Sequence, residues 1–261
     1  LTENDKILAE EFIRFVNIVR RLRRECPWDR EQTHESLRRC LLEESYEVLE
    51  SIDNNDMDEL KKELGDLILQ VVFHGIMGEE TNSFDLPGIL SKETEKLIHR
   101  HPHIFGDVKV ENAEEVKTNW ENLKKKEGRK SVLDGIPKEL PALFRAYRVQ
   151  EKASKVGFDW KEHKPVYEKI LEEVSELKAN IESNAPLEKI EDEFGDVLFS
   201  IVNYARFLKV NPEDALRKTI EKFMFRFRKI EEYAGKNKLV LENMTLAEMD
   251  EIWVKSKSQK E

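Results

Sequence analysis

From Val166 to Ile181 apolar side chains recur at Val166, Tyr167, Ile170, Leu171, Val174, Leu177 and Ile181. The steps of three and four keep them on one face of an α-helix, which turns about 100° per residue. Ile190, Phe194, Val197, Leu198, Ile201, Val202, Ala205 and Leu208 do the same on the next segment. Ser183–Pro186, with the sequence SNAP, separates the two and reads as a turn. A short link between long amphipathic segments makes them antiparallel neighbours. Almost every other segment reads at helical period and short strands are not evident, so the pattern predicts an all-α fold.

The first half repeats this plan. "EESYE" (Glu43–Glu47) matches "EEVSE" (Glu172–Glu176), and "ELGDLILQVV" (Glu63–Val72) matches "EFGDVLFSIV" (Glu193–Val202). Trp28-Asp29 sits where Phe158-Asp159 sits. Further on, Lys96 pairs with Lys222, Arg100 with Arg226, Trp120 with Trp253 and Lys124 with Lys257. A period of about 129 residues indicates a duplicated domain and not a solenoid of short repeats. The expected organisation is one repeat over 1–124, a linker over 125–137 and a second repeat over 138–261. Gly128, Gly135 and Pro137 mark the junction. An isolated helical pair buries little surface, so each repeat is expected to reach a four-helix-bundle-like arrangement completed by dimerisation.

Charge changes the picture of the partners. The chain of 261 residues carries a formal net charge of −10, which argues against a general nucleic-acid binder. Two cysteines, Cys26 and Cys40, make no disulfide framework. No apolar run approaches the roughly 20 residues of a membrane span, and no leader pattern is present. The reading is a cytoplasmic soluble protein with no membrane partner.

The acids carry the candidate chemistry. On a helical wheel Lys169, Glu173 and Glu176 share one flank of the apolar stripe, and Glu172 falls on the other side of the wheel. Lys189, Glu193 and Asp196 share one flank of the following helix. If both stripes face one core, Glu173, Glu176, Glu193 and Asp196 converge at its edge. Like charges at such separations repel, and a cation relieves them. An all-oxygen set selects hard ions, Mg²⁺ with Mn²⁺ as a substitute. A di-iron site would need a His three residues after a Glu on two helices, and neither acidic helix has one. Glu44, Glu47, Glu63 and Asp66 form the matching set in the first repeat. Gly65 and Gly195, inside Glu-x-Gly-Asp, are expected where helices approach closely, since glycine weakens a helix interior. Lys222 and Arg226 lie on one helical face and suit a phosphate substrate, Trp253 could stack on a base, and Lys257 lies one turn beyond it. His101 and His103 pose a further metal question, answered more simply by a packed loop.

Paired E-E-x-x-E and E-x-x-D on successive helices, in tandem, resemble the MazG family of nucleoside triphosphate pyrophosphohydrolases. "CPWDREQTHESL", "HPHIFGD", "LDGIPKELPAL" and "KASKVGFDW" look like MazG sequence as well. The resemblance covers nearly the whole chain. It implies an all-α fold, Mg²⁺ dependence, a homodimer, and hydrolysis of NTPs and dNTPs to the monophosphate and pyrophosphate. It implies metal binding at Glu173, Glu176, Glu193 and Asp196, and nucleotide contact at Lys169, Lys189, Lys222, Arg226 and Trp253. One of the site glutamates, or a neighbouring acid such as Glu172 or Asp192, is expected to accept a proton from the attacking water. The first repeat departs from the pattern, with Cys40 and Glu59 at the places of Lys169 and Lys189. Two phosphate-binding cations are lost, so the second repeat is expected to be the main catalyst. Broad action on the nucleotide pool is the leading expectation. The alternatives are a narrow enzyme for dUTP, dCTP or phosphoribosyl-ATP, and a nucleotide-binding regulator without catalysis.

Overall fold

A computed structural model of the chain describes residues 2–113, 115, 116, 119, 120, 123 and 131–257. Lys124 and residues 125–130 of the expected linker lie outside the described residues. The chain divides into two compact units, Leu1–Leu123 and Lys124–Glu261. No strand occurs among the described residues.

The first unit comprises α1 (Glu3–Glu25), α2 (Pro27–Glu31), α3 (Arg38–Asp53), α4 (Met57–Glu80), α5 (Leu86–Arg100) and α6 (Pro102–Phe105). In it α4 is central, packing on α3, α1 and α5. Its core gathers Val16 and Val19 of α1, Val72, Phe73, Ile76 and Met77 of α4, and Leu37 and Leu86. The second unit comprises α7 (Ala142–Ser154), α8 (His163–Glu182), α9 (Leu187–Phe207), α10 (Pro212–Lys236), a short 3-10 turn (Leu241–Asn243) and α11 (Leu246–Ser256). Here α9 packs most extensively on α8 and also meets α7, while α10 meets α7 and α11.

The duplication is visible in the hairpin turns. Asn55 and Asn184 both adopt left-handed backbone, with φ of 54° and 52°. Asparagine tolerates that region better than most residues. Each turn is closed by a backbone bond back to its helix, Asp56 N–H to Ser51 and Ala185 N–H to Asn180, both at 3.0 Å. The second turn is one residue longer, so the repeat offset is one larger in α9 than in α8.

The helical wheel misplaced one thing. The wide apolar stripe of α8 does not face α9 as a block. Its inward positions are Val166, Ile170, Glu173 and Leu177, spaced as a coiled-coil seam, while Leu171 is 53% exposed. On α9 the covered positions are Ile190, Glu193, Val197 and Ser200. The first unit repeats this with Leu37, Cys40, Glu44, Val48 and Ser51 against Glu63, Leu67 and Gln70. Glu173 and Glu193 thus sit in the seam between two helices and not at its edge. A second seam of Tyr167, Leu171, Val174 and Ile181, with Leu187, Phe194, Leu198 and Ile201, is left exposed.

A second correction concerns glycine. A Cβ at Gly65 or Gly195 would meet nothing within 4 Å, so no close approach occurs at either within a unit. The close approaches lie further along α4. A Cβ on Gly78 would come 2.4 Å from the Phe84 ring, and one on Gly75 2.4 Å from Leu86 Cδ2. The Phe84 ring cannot fold away as an aliphatic end can. Gly78→Ala is therefore expected to lower stability by about 1–3 kcal/mol, the usual cost of overpacking. Gly65→Ala should not lower it, as urea unfolding of the two variants would show.

Candidate active site

The α8–α9 hairpin brings three of the four expected carboxylates together. Glu173, Glu193 and Asp196 each offer an oxygen within 4.8 Å of the others. Glu173 is buried at 7% exposure, which is unusual for a carboxylate and follows from its seam position. Glu176 stands one turn further along α8, outside this group. Its carboxyl is nonetheless raised above the ordinary value, by desolvation first and then by the charges of Glu173 and Glu193.

Two partners fix the site in its own unit. Lys169 Nζ lies 2.7 Å from Glu172 and 2.8 Å from Glu173. The expected separation of Glu172 from this strip is overturned, because a lysine stem reaches both its i+3 and i+4 neighbours. Hydrogen bonds to Glu172 and then Glu173 raise the Lys169 pKa. Asn180 Nδ2 donates to Glu193 Oε1 at 3.1 Å, holding that carboxylate from the opposite helix. Nothing in the sequence marked Asn180, since only the hairpin puts it opposite Glu193.

A cavity of about 470 Å³ adjoins the acids. Lys169, Glu173 and Asp196 line it together with the rings of Phe158, Trp160 and Phe199. Phe158, Asp159 and Trp160 follow α7 in a turn that needs Gly157 at φ +88°. Arg206 of α9 pins this turn with a bidentate pair, Nη1 donating to Asp159 Oδ2 at 2.8 Å and Nη2 to Oδ1. The segment "GFDW" was legible as a motif, but its place as a cavity wall was not.

The remaining expected contacts lie elsewhere in the second unit. Lys189 and Asp192 are exposed on α9, and Lys257 is the exposed C-cap of α11. Lys222 and Arg226 share a face of α10. The Arg226 guanidinium lies 5.6 Å over the Trp253 ring, which packs 5.0 Å from Phe223. Lys222, Arg226 and Trp253 are not among the residues lining the cavity.

The first unit repeats the acids without the cations. Glu44, Glu63 and Asp66 offer oxygens within 4.8 Å of one another, and Glu47 stands outside that group. Desolvation, then the charges of Asp66 and Glu47, raise the Glu44 pKa against a hydrogen bond from Gln70. Glu63 is pushed up to about 7 by desolvation, by a hydrogen bond with Glu59 and by Glu47. Glu59, at the place of Lys189, pairs with Lys62. Cys40, at the place of Lys169, packs against the core. A cavity of about 330 Å³ beside this hairpin is lined by Glu47, Glu50, Asp56, Glu59 and Glu63, with no cationic side chain.

His101 and His103 belong to neither acidic group. His101 Nδ1 lies 2.7 Å from the Leu97 carbonyl, and its ring meets Trp120 edge-on at 5.2 Å.

Comparison with known proteins follows the same two hairpins. The model of the MazG nucleotide pyrophosphohydrolase domain matches twice, over 32–105 and 161–230. These segments contain all eight expected metal-site acids and exclude Trp253 and Lys257. The chain is similar to the nucleoside triphosphate pyrophosphohydrolase/pyrophosphatase MazG of Thermotoga maritima, 49% identical over 256 residues, 96% of each protein. It is similar to the nucleoside triphosphate pyrophosphohydrolase of Escherichia coli, 42% identical over 94% of this chain and 97% of that one. A solved structure of a mazG-related protein from Thermotoga maritima aligns with 43% of this chain and 97% of its own, at 33% identity and a TM-score of 0.39.

Proposed function

Since the chain belongs to the MazG nucleotide pyrophosphohydrolase family, we propose that it hydrolyses nucleoside and deoxynucleoside triphosphates to the monophosphate and pyrophosphate. We further propose that the second repeat is the main catalyst, that Mg²⁺ is required and that many bases are accepted, as suits a role in clearing the nucleotide pool. The observation that carries this is the cluster of Glu173, Glu193 and Asp196 within 4.8 Å, opening on a cavity with apolar rings and Lys169.

The donor set fits a hard divalent cation. It is all oxygen, one member is buried in a helix seam, and the adjacent Glu176 carboxyl is raised by desolvation and then by like charge. Glu173, Glu193 and Asp196 would hold the ion, with Glu176 beside them. When bound, Mg²⁺ supplies charge neutralisation on the phosphates and a more acidic water. The chain's own residues do the rest. Asn180 keeps the Glu193 carboxylate aimed inward. Lys169 can exchange Glu172 for a phosphate oxygen without leaving Glu173. Glu172, once released, or Asp192 accepts the proton of the attacking water. Lys189, Lys222 and Arg226, which lie outside the cavity lining, are the further cations that the family resemblance implies for the departing pyrophosphate. Trp253 is the further nucleotide contact it implies, with Lys257 one turn beyond it.

The asymmetry between the repeats supports placing turnover in the second. A cavity whose charged lining is entirely acidic repels a triphosphate, and Lys169 and Lys189 have no counterpart in the first unit. The exposed second seam supports a homodimer, in which a hairpin of a second copy completes a four-helix arrangement. Sedimentation equilibrium should return twice the 30.8 kDa chain mass, and Leu171→Glu with Phe194→Glu should return it to one chain.

The test of the activity is pyrophosphate release from each of the eight common NTPs and dNTPs with Mg²⁺. Release from most of them is expected. Release from one alone would replace the broad reading with a narrow one, and nucleotide binding without release would replace it with a regulator.

A further inference from the structure

One side chain in the cavity has no assigned task. Gln150 of α7 is 93% buried, since only 7% of it is exposed. Its Nε2 donates to the Phe199 carbonyl at 2.8 Å. A carbonyl only accepts, so this bond settles which end of the amide is which. Gln150 Oε1 is left buried with no partner, and Gln150 lines the cavity that Glu173 and Asp196 also line. Buried acceptors are nearly always satisfied, and leaving one unmade is costly. An acceptor of this kind, held at a fixed angle among apolar walls, is the signature of a site waiting for a donor.

The neighbouring amide is fixed as well. Asn203 Oδ1 accepts from Arg206 Nε at 3.1 Å and from Nη2 at 2.9 Å. Arg206 is in turn held by Asp159. With its oxygen occupied, Asn203 has only its Nδ2 donor left to offer a ligand, and it too lines the cavity. Lys169, Glu173 and Asp196 belong to the acidic site, Asp159 and Arg206 are paired with each other, and the Ser200 hydroxyl donates to the Val197 carbonyl. What the rest of the cavity offers a base is flat aromatic walls, the Gln150 acceptor and the Asn203 donor. The volume of about 470 Å³ falls within the range of roughly 300–1,000 Å³ common for small-molecule sites.

We propose that Gln150 reads the nucleobase, its Oε1 accepting an N–H from a base seated between Phe158, Trp160 and Phe199. The inference rests on the triphosphate reading above and adds where the base goes and what recognises it. Every standard base presents an N–H donor and a lone-pair acceptor along its edges. A single acceptor and a single donor therefore select a nucleobase from other flat rings without selecting one base strongly, which agrees with broad action. Arg20 stands at the matching place in the first repeat, counted from Trp28 and Phe158, and is tied to Glu79 at 3.0 Å. The base-reading acceptor is not duplicated there.

The test uses the full chain and two pairs of substrates, ATP with purine riboside triphosphate and CTP with pyrimidin-2-one riboside triphosphate. The second member of each pair keeps ring, sugar and phosphates and lacks every base N–H. Wild type should favour ATP and CTP by about tenfold in kcat/KM, mainly through KM, the scale of one buried hydrogen bond left unmade. Gln150→Met keeps the side-chain volume and should bring both ratios to within about twofold, chiefly by slowing ATP and CTP. Wild-type ratios near one would overturn the inference without any variant, so a failure of Gln150→Met to fold would not shield it. Full ratios retained in a folded Gln150→Met would overturn it too. Both results leave the hydrolase reading standing. Hydrolysis of none of the four substrates by wild type would instead remove that reading and this one together.

Discussion

Glu173→Gln is expected to lower pyrophosphate release by at least about a hundredfold, the scale seen when a preorganised charged group is removed from an active site. Glutamine has nearly the same shape, so packing in the α8–α9 seam is kept. What disappears is one negative charge within 4.8 Å of two others. Without bound cation that removal relieves repulsion, and the variant should unfold no earlier than wild type in a chelator. Lys169 keeps Glu172 as a partner, so the local helix is not left with a stranded cation. Glu44→Gln, at the same place in the first repeat, should leave release within about twofold of wild type, because that hairpin lacks the two lysines. Near-full rate in Glu173→Gln would remove this carboxylate from the chemistry. Loss in both variants would mean that the repeats act together.

The second large effect is on the metal. EDTA should abolish release and added Mg²⁺ should restore it. A readout independent of turnover comes from linkage. At a hundredfold excess over its Kd, a ligand bound only by the folded state stabilises it by about 2.7 kcal/mol. In a domain of this size that is roughly 5–10 °C in Tm for the unit carrying the site. Glu193→Gln combined with Asp196→Asn should reduce the shift by removing two of the three converging negative charges. The first hairpin offers its own trio, Glu44, Glu63 and Asp66, so a residual shift is expected to vanish only when Glu63→Gln is added. A wild-type Tm that does not move in millimolar Mg²⁺ would end the cation reading at both hairpins.

The helices were legible because burial imposes a period and the sequence displays it. Val166 to Ile181 and Ile190 to Leu208 became α8 and α9, and the SNAP turn became the link between them. The duplication was legible because the same acids recur at the same spacing, and both turns carry an asparagine in left-handed backbone. The acidic sets were legible as sets. The way they meet was not. A wheel shows a face about 180° wide, whereas one neighbouring helix covers only a narrow strip of it. The wheel could not say that Glu173 lies in that strip and Leu171 outside it.

The same limit explains the other differences. Gly65 and Gly195 stood out because they sit inside a repeated motif, but the close contacts are at Gly75 and Gly78, where α4 meets Leu86 and Phe84. A glycine's need depends on what chain returns to it, and that is decided by the loop after α4. Asn180, Gln150 and Arg206 are ordinary residues at ordinary helical positions. They acquire a place beside Glu193 and around the cavity only once α7, α8 and α9 pack.

The amino-acid sequence by itself determined that this protein is helical, duplicated and armed with two sets of paired acids, because periodicity, repetition and charge are local properties carried along the chain. Only the tertiary structure decided which acids are drawn into the seam, which apolar face is left exposed, and where a buried amide oxygen lies without a donor. Those depend on contacts between segments, and one turn of helix can place a side chain at a contact or in solvent with no change in its local pattern.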